Sequence, residues 1–210
     1  MTTFSVDAAL AHLREVDAQL AAIMDRVGDY NPTIRRVDPY ASLLRTILFQ
    51  QLAGAAANAI QRRFLALYGD DGQPPAPEQL LATSDEDLRG AGISRQKISY
   101  MRDLALHVHE GRLDLDELVH LEDEEVVRRI TAVKGLGEWS AHMYLMFHLG
   151  RPDVLPVGDL GVRNGMRITY ALEATPTPKQ ALEIGARWAP YRSVGSWYMW
   201  RAGEPVAPDI

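Results

Sequence analysis

Apolar residues recur every three to four positions along almost the whole chain. Val6, Ala9, Leu10, Leu13, Val16, Leu20, Ile23 and Val27 form one stripe, the spacing of an amphipathic helix facing a core. A second helix is predicted from Asp38-Pro39, with proline in its first turn, through YASLLRTILFQQ. A third, AGAAANAIQRRFLALY, ends at Gly69, and GDDGQPPAP reads as a loop. Helix starts follow at Pro77-Glu78 and at Ser84-Asp85, the latter an N-cap followed by acidic first-turn residues. Ile98, Met101, Ala105 and Val108 give the next stripe, and Val126, Val127, Ile130 and Val133 another. WSAHMYLMFHL, DLGVRNGMRITYAL, TPKQALEIGARW and PYRSVGSWYMWRA complete the set. No segment alternates cleanly as a strand. The pattern predicts an all-α chain of about ten short helices.

The stretch from Thr131 to Ser140, TAVKGLGEWS, carries the most chemistry. One helix stops, Gly135 and Gly137 flank an apolar Leu136, and another helix starts at once. Glycine permits positive φ and close approach of another backbone. The new helix offers unpaired N–H groups and a positive dipole end, which suit a phosphate oxygen. Leu136 would plug the turn into the core. This is the pattern of a helix–hairpin–helix, yet a tight turn between two packed helices has the same spacing. Spacing alone leaves both readings open. SDEDLRGAGISRQKISYM echoes EDEEVVRRITAVKGLGEWSAHM, either as a duplicated unit or by chance.

Asp159 stands twenty residues past Trp139, in LPVGDLGVRNG. Pro156 and Gly158 stop the chain and a helix begins at Leu160, so Asp159 reads as an N-cap. Capping and catalysis are compatible there. The helix dipole and free N–H groups favour a carboxylate anion, a poor general acid but a good partner for a cationic transition state or for water. Trp188, Trp197 and Trp200 lie in the last 23 residues, with Trp139 the fourth tryptophan. Each could be core, or a face on which a cationic ring stacks.

Composition narrows the field. Of 210 residues, 47% are hydrophobic and 24% charged, values of a globular chain. The length suits one domain or two small lobes, at roughly 100–200 residues per domain. No apolar run approaches a membrane span. MTTFSVDAALAHLREVD lacks the basic-then-apolar layout of a secretory signal, so a cytoplasmic location is expected, nucleoid-associated if the source is bacterial. Without cysteine, thiolate catalysis, disulfides and thiolate-ligated metals are excluded. His107/His109 and His142/His148 have the wrong spacing for a helical metal pair. The net charge of −6 argues mildly against a polyanion, but it is uneven. Residues 1–125 hold 12 Lys and Arg against 21 Asp and Glu, whereas 126–210 hold 10 against 7. One mildly basic face is compatible with nucleic acid. The acidic runs at 114–117 and 122–125 read as solvated helix starts.

VKGLGEWSAHMYLMFHLGRPDVLPVGDLGVRNG resembles the hairpin plus Gly/Pro…Asp signature of the HhH-GPD DNA glycosylase superfamily. Within it, the 3-methyladenine DNA glycosylase II branch of alkylation-repair enzymes is the most similar. LLRTILFQQLAGAAANAIQRRFLALYG and RWAPYRSVGSWYMW extend the resemblance over about 40–202. It implies a two-lobed all-α fold with a DNA-binding cleft between the lobes. Residues 36–150 would form a central lobe with the hairpin at about 126–149, and 1–35 plus 151–210 the other. It further implies that Asp159 is the catalytic aspartate. Trp139, Trp200 and Gln50 would line the base pocket, with Met143 where some relatives carry a tyrosine. Gln51 would wedge into the duplex where the nucleotide is flipped out. Gly135 and Gly137 would bind phosphate, with Lys134 in place of the usual proline adding a cation, and Arg163 a further phosphate contact. The carbonyls of Thr131, Val133 and Leu136 could hold a monovalent cation, Na+ or K+; no other cofactor is implied.

The implied reaction is hydrolysis of the N-glycosidic bond of alkylated purines, N3-methyladenine or N7-methylguanine, in duplex DNA after base flipping. The position of the family's lyase lysine is Trp139, so no strand nicking is expected. A monomer without an obligate protein partner suffices. The alternatives are the same fold acting on deaminated or oxidised bases, and a non-catalytic damage-binding module.

Overall fold

The computed structural model describes residues 4–32, 38–52, 54–69 and 72–203. Among them are helices and no strand, and no helix is long and apolar enough to cross a membrane. The chain divides into two compact units, residues 35–144 and residues 1–34 with 145–210.

The second of these is built from α1 (Val6–Val16), α2 (Ala18–Val27), α10 (Leu160–Thr169), α11 (Pro178–Gly185) and α12 (Arg192–Ala202). The single N-terminal stripe predicted from periodicity is two helices, broken at Asp17. Its buried Oδ1 accepts the Leu20 N–H at 2.9 Å, capping α2. Oδ2 accepts the Tyr170 hydroxyl at 2.6 Å and the Trp188 indole N–H at 3.0 Å. A buried carboxylate is tolerated only when so supplied with donors. Burial, reinforced by Asp17, pushes the Tyr170 phenol above its usual range, so it stays a donor. The stripe keeps its phase across the break: Leu13, Leu20 and Met24 all enter one core with Val162, Met166, Trp188 and Tyr198. Helix α12 is buried on nearly every side from Ser193 to Met199, which is the signature of an interior helix. It is tied at its start to the segment leading into α10. Asp153 takes the Arg192 side chain in a two-pronged bond at 2.7 and 2.9 Å. Ser193 bonds the Arg151 carbonyl and the Val154 N–H.

The unit of residues 35–144 contains α3 (Pro39–Phe49), α4 (Gly54–Leu65), α5 (Pro77–Ala82), α6 (Asp85–Gly90), α7 (Arg95–His109) and α8 (Asp123–Thr131). The chain leaves it at Tyr144, within α9 (Glu138–Phe147). Leu43, Ile47, Phe64, Leu80, Leu88, Met101, Leu104, Val126 and Ile130 are each at most 1% exposed and make its core. The acidic run at 122–125 does open α8, whereas that at 114–117 leads into a short 3-10 turn, Glu117–His120. There Asp114 accepts the N–H groups of Asp116 and Glu117. The internal echo is present in the backbone: α6–turn–α7 and α8–turn–α9 each pivot on a glycine of positive φ, Gly92 at +94° and Gly135 at +86°.

Candidate active site and nucleic-acid interface

Helix α8 ends at Thr131, and its last carbonyls are left without intrahelical partners. The chain reverses through Gly135 and re-enters a helix at Glu138. Leu136 between the glycines is buried, and its N–H closes the turn on the Val133 carbonyl at 3.1 Å. A side chain at 135 is excluded twice, by the left-handed φ and because a Cβ there would lie 2.2 Å from the Tyr100 ring. The first-turn amides of α9 emerge beside this turn, as a phosphate site requires.

The end of α3 faces the same turn. The helix stops at Phe49, two residues short of the sequence pattern: Gln50 turns out of it with ψ +131°, and Gln51 then takes φ +57°, a conformation uncommon outside glycine. The Gln50 amide Nε2 donates to the Gly135 carbonyl at 2.9 Å, so this predicted base-pocket residue is turned to the hairpin. A cavity of about 440 Å³ opens here, lined by Gln50, Gln51, Gly135, Gly137 and Trp139 together with Lys97 and Tyr100. Trp139 is 46% exposed, a large apolar surface on its rim. Five of the sequence-predicted residues thus share one cavity. Lys97 and Tyr100 escaped the sequence reading, as did Leu52, which is exposed at the tip beside Gln51.

Lys134 and Met143 do not line that cavity. The Lys134 N–H is committed to Asp103 Oδ2 at 2.8 Å, and its ammonium reaches Ser99 Oγ at 3.1 Å. Met143 is half-buried on α9.

In the unit containing α10, Asp159 is the N-cap. Its Oδ1 accepts two bonds, from the Val162 N–H at 2.8 Å and from the Trp200 indole N–H at 2.9 Å. The carboxyl group is thereby oriented by one helix start and one aromatic. The Trp200 ring lies tilted on Phe147, centroids 5.7 Å apart. It also packs over Gly161, where a Cβ would come within 2.8 Å of the ring. Leu160, next to the aspartate, is 59% exposed. Trp188 and Trp197 are core residues. The Arg163 guanidinium is directed to the Pro176 carbonyl at 3.1 Å, with its Nε buried and without a hydrogen-bond partner. That placement holds it against its own chain.

An all-helical fold carrying a glycine-pivoted helix–hairpin–helix and an aspartate capping the helix that follows defines a class of DNA-handling proteins. The HhH-GPD superfamily base excision DNA repair protein family matches residues 44–190, and the chain belongs to it. It is 34% identical over 213 residues to the DNA-3-methyladenine glycosylase 1 of Schizosaccharomyces pombe, covering 97% of this chain and 93% of that protein. Among solved structures, a 3-methyladenine DNA glycosylase from the same yeast, in complex with abasic DNA, superposes with a TM-score of 0.84. It is 35% identical and covers 92% of this chain and 95% of that one. A DNA-3-methyladenine glycosidase from Bacillus halodurans superposes with a TM-score of 0.83 at 38% identity, covering 97% and 92%.

Proposed function

We propose that this chain is a monofunctional DNA-3-methyladenine glycosylase that flips alkylated purines out of duplex DNA and hydrolyses their N-glycosidic bond. The observation that carries this reading is the Asp159–Trp200 pair at the start of α10, in a chain of this family. Extrusion of the nucleotide costs roughly a few kcal/mol. N3-methyladenine and N7-methylguanine carry positive charge, so they leave readily once placed. The bond from the anomeric carbon to the base breaks, and its electron pair departs with the base, which leaves neutral. Water then adds its oxygen to the anomeric carbon and gives up a proton. Positive charge that builds on the sugar is stabilised by the Asp159 carboxylate, which also orients the water. Trp139 and Trp200 offer aromatic faces to the cationic base.

Gln51 serves as the wedge that fills the vacated stack, and the hairpin of Gly135 and Gly137 grips the backbone. The carbonyls of Thr131, Val133 and Leu136 suit a monovalent cation: they are hard oxygens, the first at the negative end of α8 and the other two in the turn that follows. Such an ion would supply positive charge on the side of the hairpin proposed to meet the DNA backbone. Lys134 supplies a further cation near the backbone. Arg163 would have to leave the Pro176 carbonyl to reach phosphate.

The decisive experiment is chromatography of bases released from methylated duplex DNA, with the DNA strand followed in parallel. The expected result is free N3-methyladenine or N7-methylguanine, an intact abasic strand, and no borohydride-trapped protein. Protein that binds this DNA and releases no methylated base would overturn the reading. A single substitution probes the orientation of the carboxylate. Trp200→Phe keeps a ring on Phe147 but removes the donor to Asp159, and a hydrogen bond to a charged group is lost. A fall of about tenfold in the excision rate constant with little change in lesion-DNA affinity is expected, measured by single-turnover excision and by titration.

A further inference from the structure

One face of α7 ties together the two elements that this reading sets against the duplex. Lys97 Nζ donates to the carbonyls of Leu48 at 2.6 Å and Gln50 at 2.7 Å, capping the C-terminal end of α3 where a cation is favoured. The next residue is Gln51, held at φ +57°. Tyr100, three residues along α7 from Lys97, backs Gly135. Asp103, three further, holds the Lys134 N–H, and Ser99 receives the Lys134 ammonium. Residues three apart share a helix face. Gln50 then closes the circuit by donating to the Gly135 carbonyl.

Lys97 is half-buried, and that burial lowers its pKa below the usual lysine range. A left-handed conformation at a non-glycine residue persists only where its surroundings over-determine it. The bonds from Lys97 to the carbonyls just before Gln51 supply that restraint. We infer that Lys97 is a positioning residue: it fixes the Gln51 turn against α7, and so against the Gly135 hairpin, so that wedge and backbone grip meet the duplex in register. This rests on the roles given above to Gln51 and the hairpin.

The test uses two substrates carrying the same lesion, one fully paired and one in an unpaired bubble. A wedge matters only where the base must be prised from a paired stack. Lys97→Met is expected to lose about tenfold in excision from the paired duplex and less than about threefold from the bubble, on the scale of a lost charged hydrogen bond. Lys97→Arg should recover most of the loss. Gln51→Ala should show the same selectivity, and the double variant should be no worse than the poorer single one. Equal losses on both substrates, or full additivity with Gln51→Ala, would overturn the role of Lys97 while leaving the glycosylase reading intact. If Gln51→Ala itself fails to distinguish the substrates, the wedge is not Gln51 and the inference falls. Wild-type protein inactive on both substrates would overturn the functional reading and this role with it. Thermal melting of each variant separates these outcomes from unfolding, and Lys97→Gln replaces Lys97→Met if the latter does not fold.

Discussion

Asp159→Asn is expected to bind lesion DNA with near wild-type affinity and to release methylated base roughly a hundred- to a thousandfold more slowly, the scale of removing one preorganised electrostatic contact. The substitution is informative because the aspartate has two tasks that it separates. As N-cap, Oδ1 accepts the Val162 N–H and the Trp200 indole N–H. Asparagine caps about as well as aspartate, and its amide oxygen can accept both bonds. The start of α10 and the Trp200 ring should stay in place, and the melting temperature should hardly move. What disappears is the negative charge, the one property that a cation-like sugar needs. Asp159→Ala is the companion variant. It loses the cap as well, costing about 1 kcal/mol of stability, and should be as inactive as the asparagine form but measurably less stable. Single-turnover excision, DNA titration and thermal melting on the two variants separate charge from structure. Excision by Asp159→Asn within tenfold of wild type would remove Asp159 from the chemistry.

The parts of this arrangement that were legible in the sequence are local. Gly135 and Gly137 around Leu136 announce a turn because glycine and buried leucine leave few other uses for that spacing, and Asp159 announces a helix start because Gly158 and Pro156 stop the chain before it. The parts that were not legible are pairings distant in sequence. Nothing near Asp17 predicts a break in a stripe that keeps its phase. The break is stabilised by Tyr170 and Trp188, more than 150 residues away. Gln50 reads as a pocket residue by resemblance, yet its amide is turned to Gly135, 85 residues on. Lys97 sits in an ordinary helix start, and its importance comes from carbonyls nearly fifty residues earlier. Periodicity carries information about which face is buried, not about which polar atom on that face meets which other.

Gly165→Ala should be strongly destabilising. Helices α10 and α12 cross where Gly165 faces Met199, and a Cβ at 165 would lie 1.9 Å from the Met199 carbonyl oxygen and 2.5 Å from its carbonyl carbon. The obstructing atoms are backbone, so no rotamer change relieves the clash and the helices themselves must separate. Alanine gains at most about 1 kcal/mol in helix propensity over glycine, whereas forced overpacking costs typically about 1–3 kcal/mol and more when backbone must move. The second effect wins here, because contact at that distance cannot be absorbed by small adjustments. At roughly 2–4 °C per kcal/mol for a chain of this size, the melting temperature should fall by about 4–10 °C. Gly90→Ala is the control, with nothing within 4 Å of its added Cβ, and it should be neutral or mildly stabilising. Function should suffer beyond stability. Trp200 follows Met199 on α12 and reaches Asp159 at the start of α10 through a 2.9 Å hydrogen bond, so separating the two helices pulls the indole from the carboxylate. Excision measured well below the melting transition should therefore fall about as far as in Trp200→Phe. A Gly165→Ala protein that melts within about 1 °C of wild type would show that the crossing tolerates a methyl group and does not set the spacing of this pair.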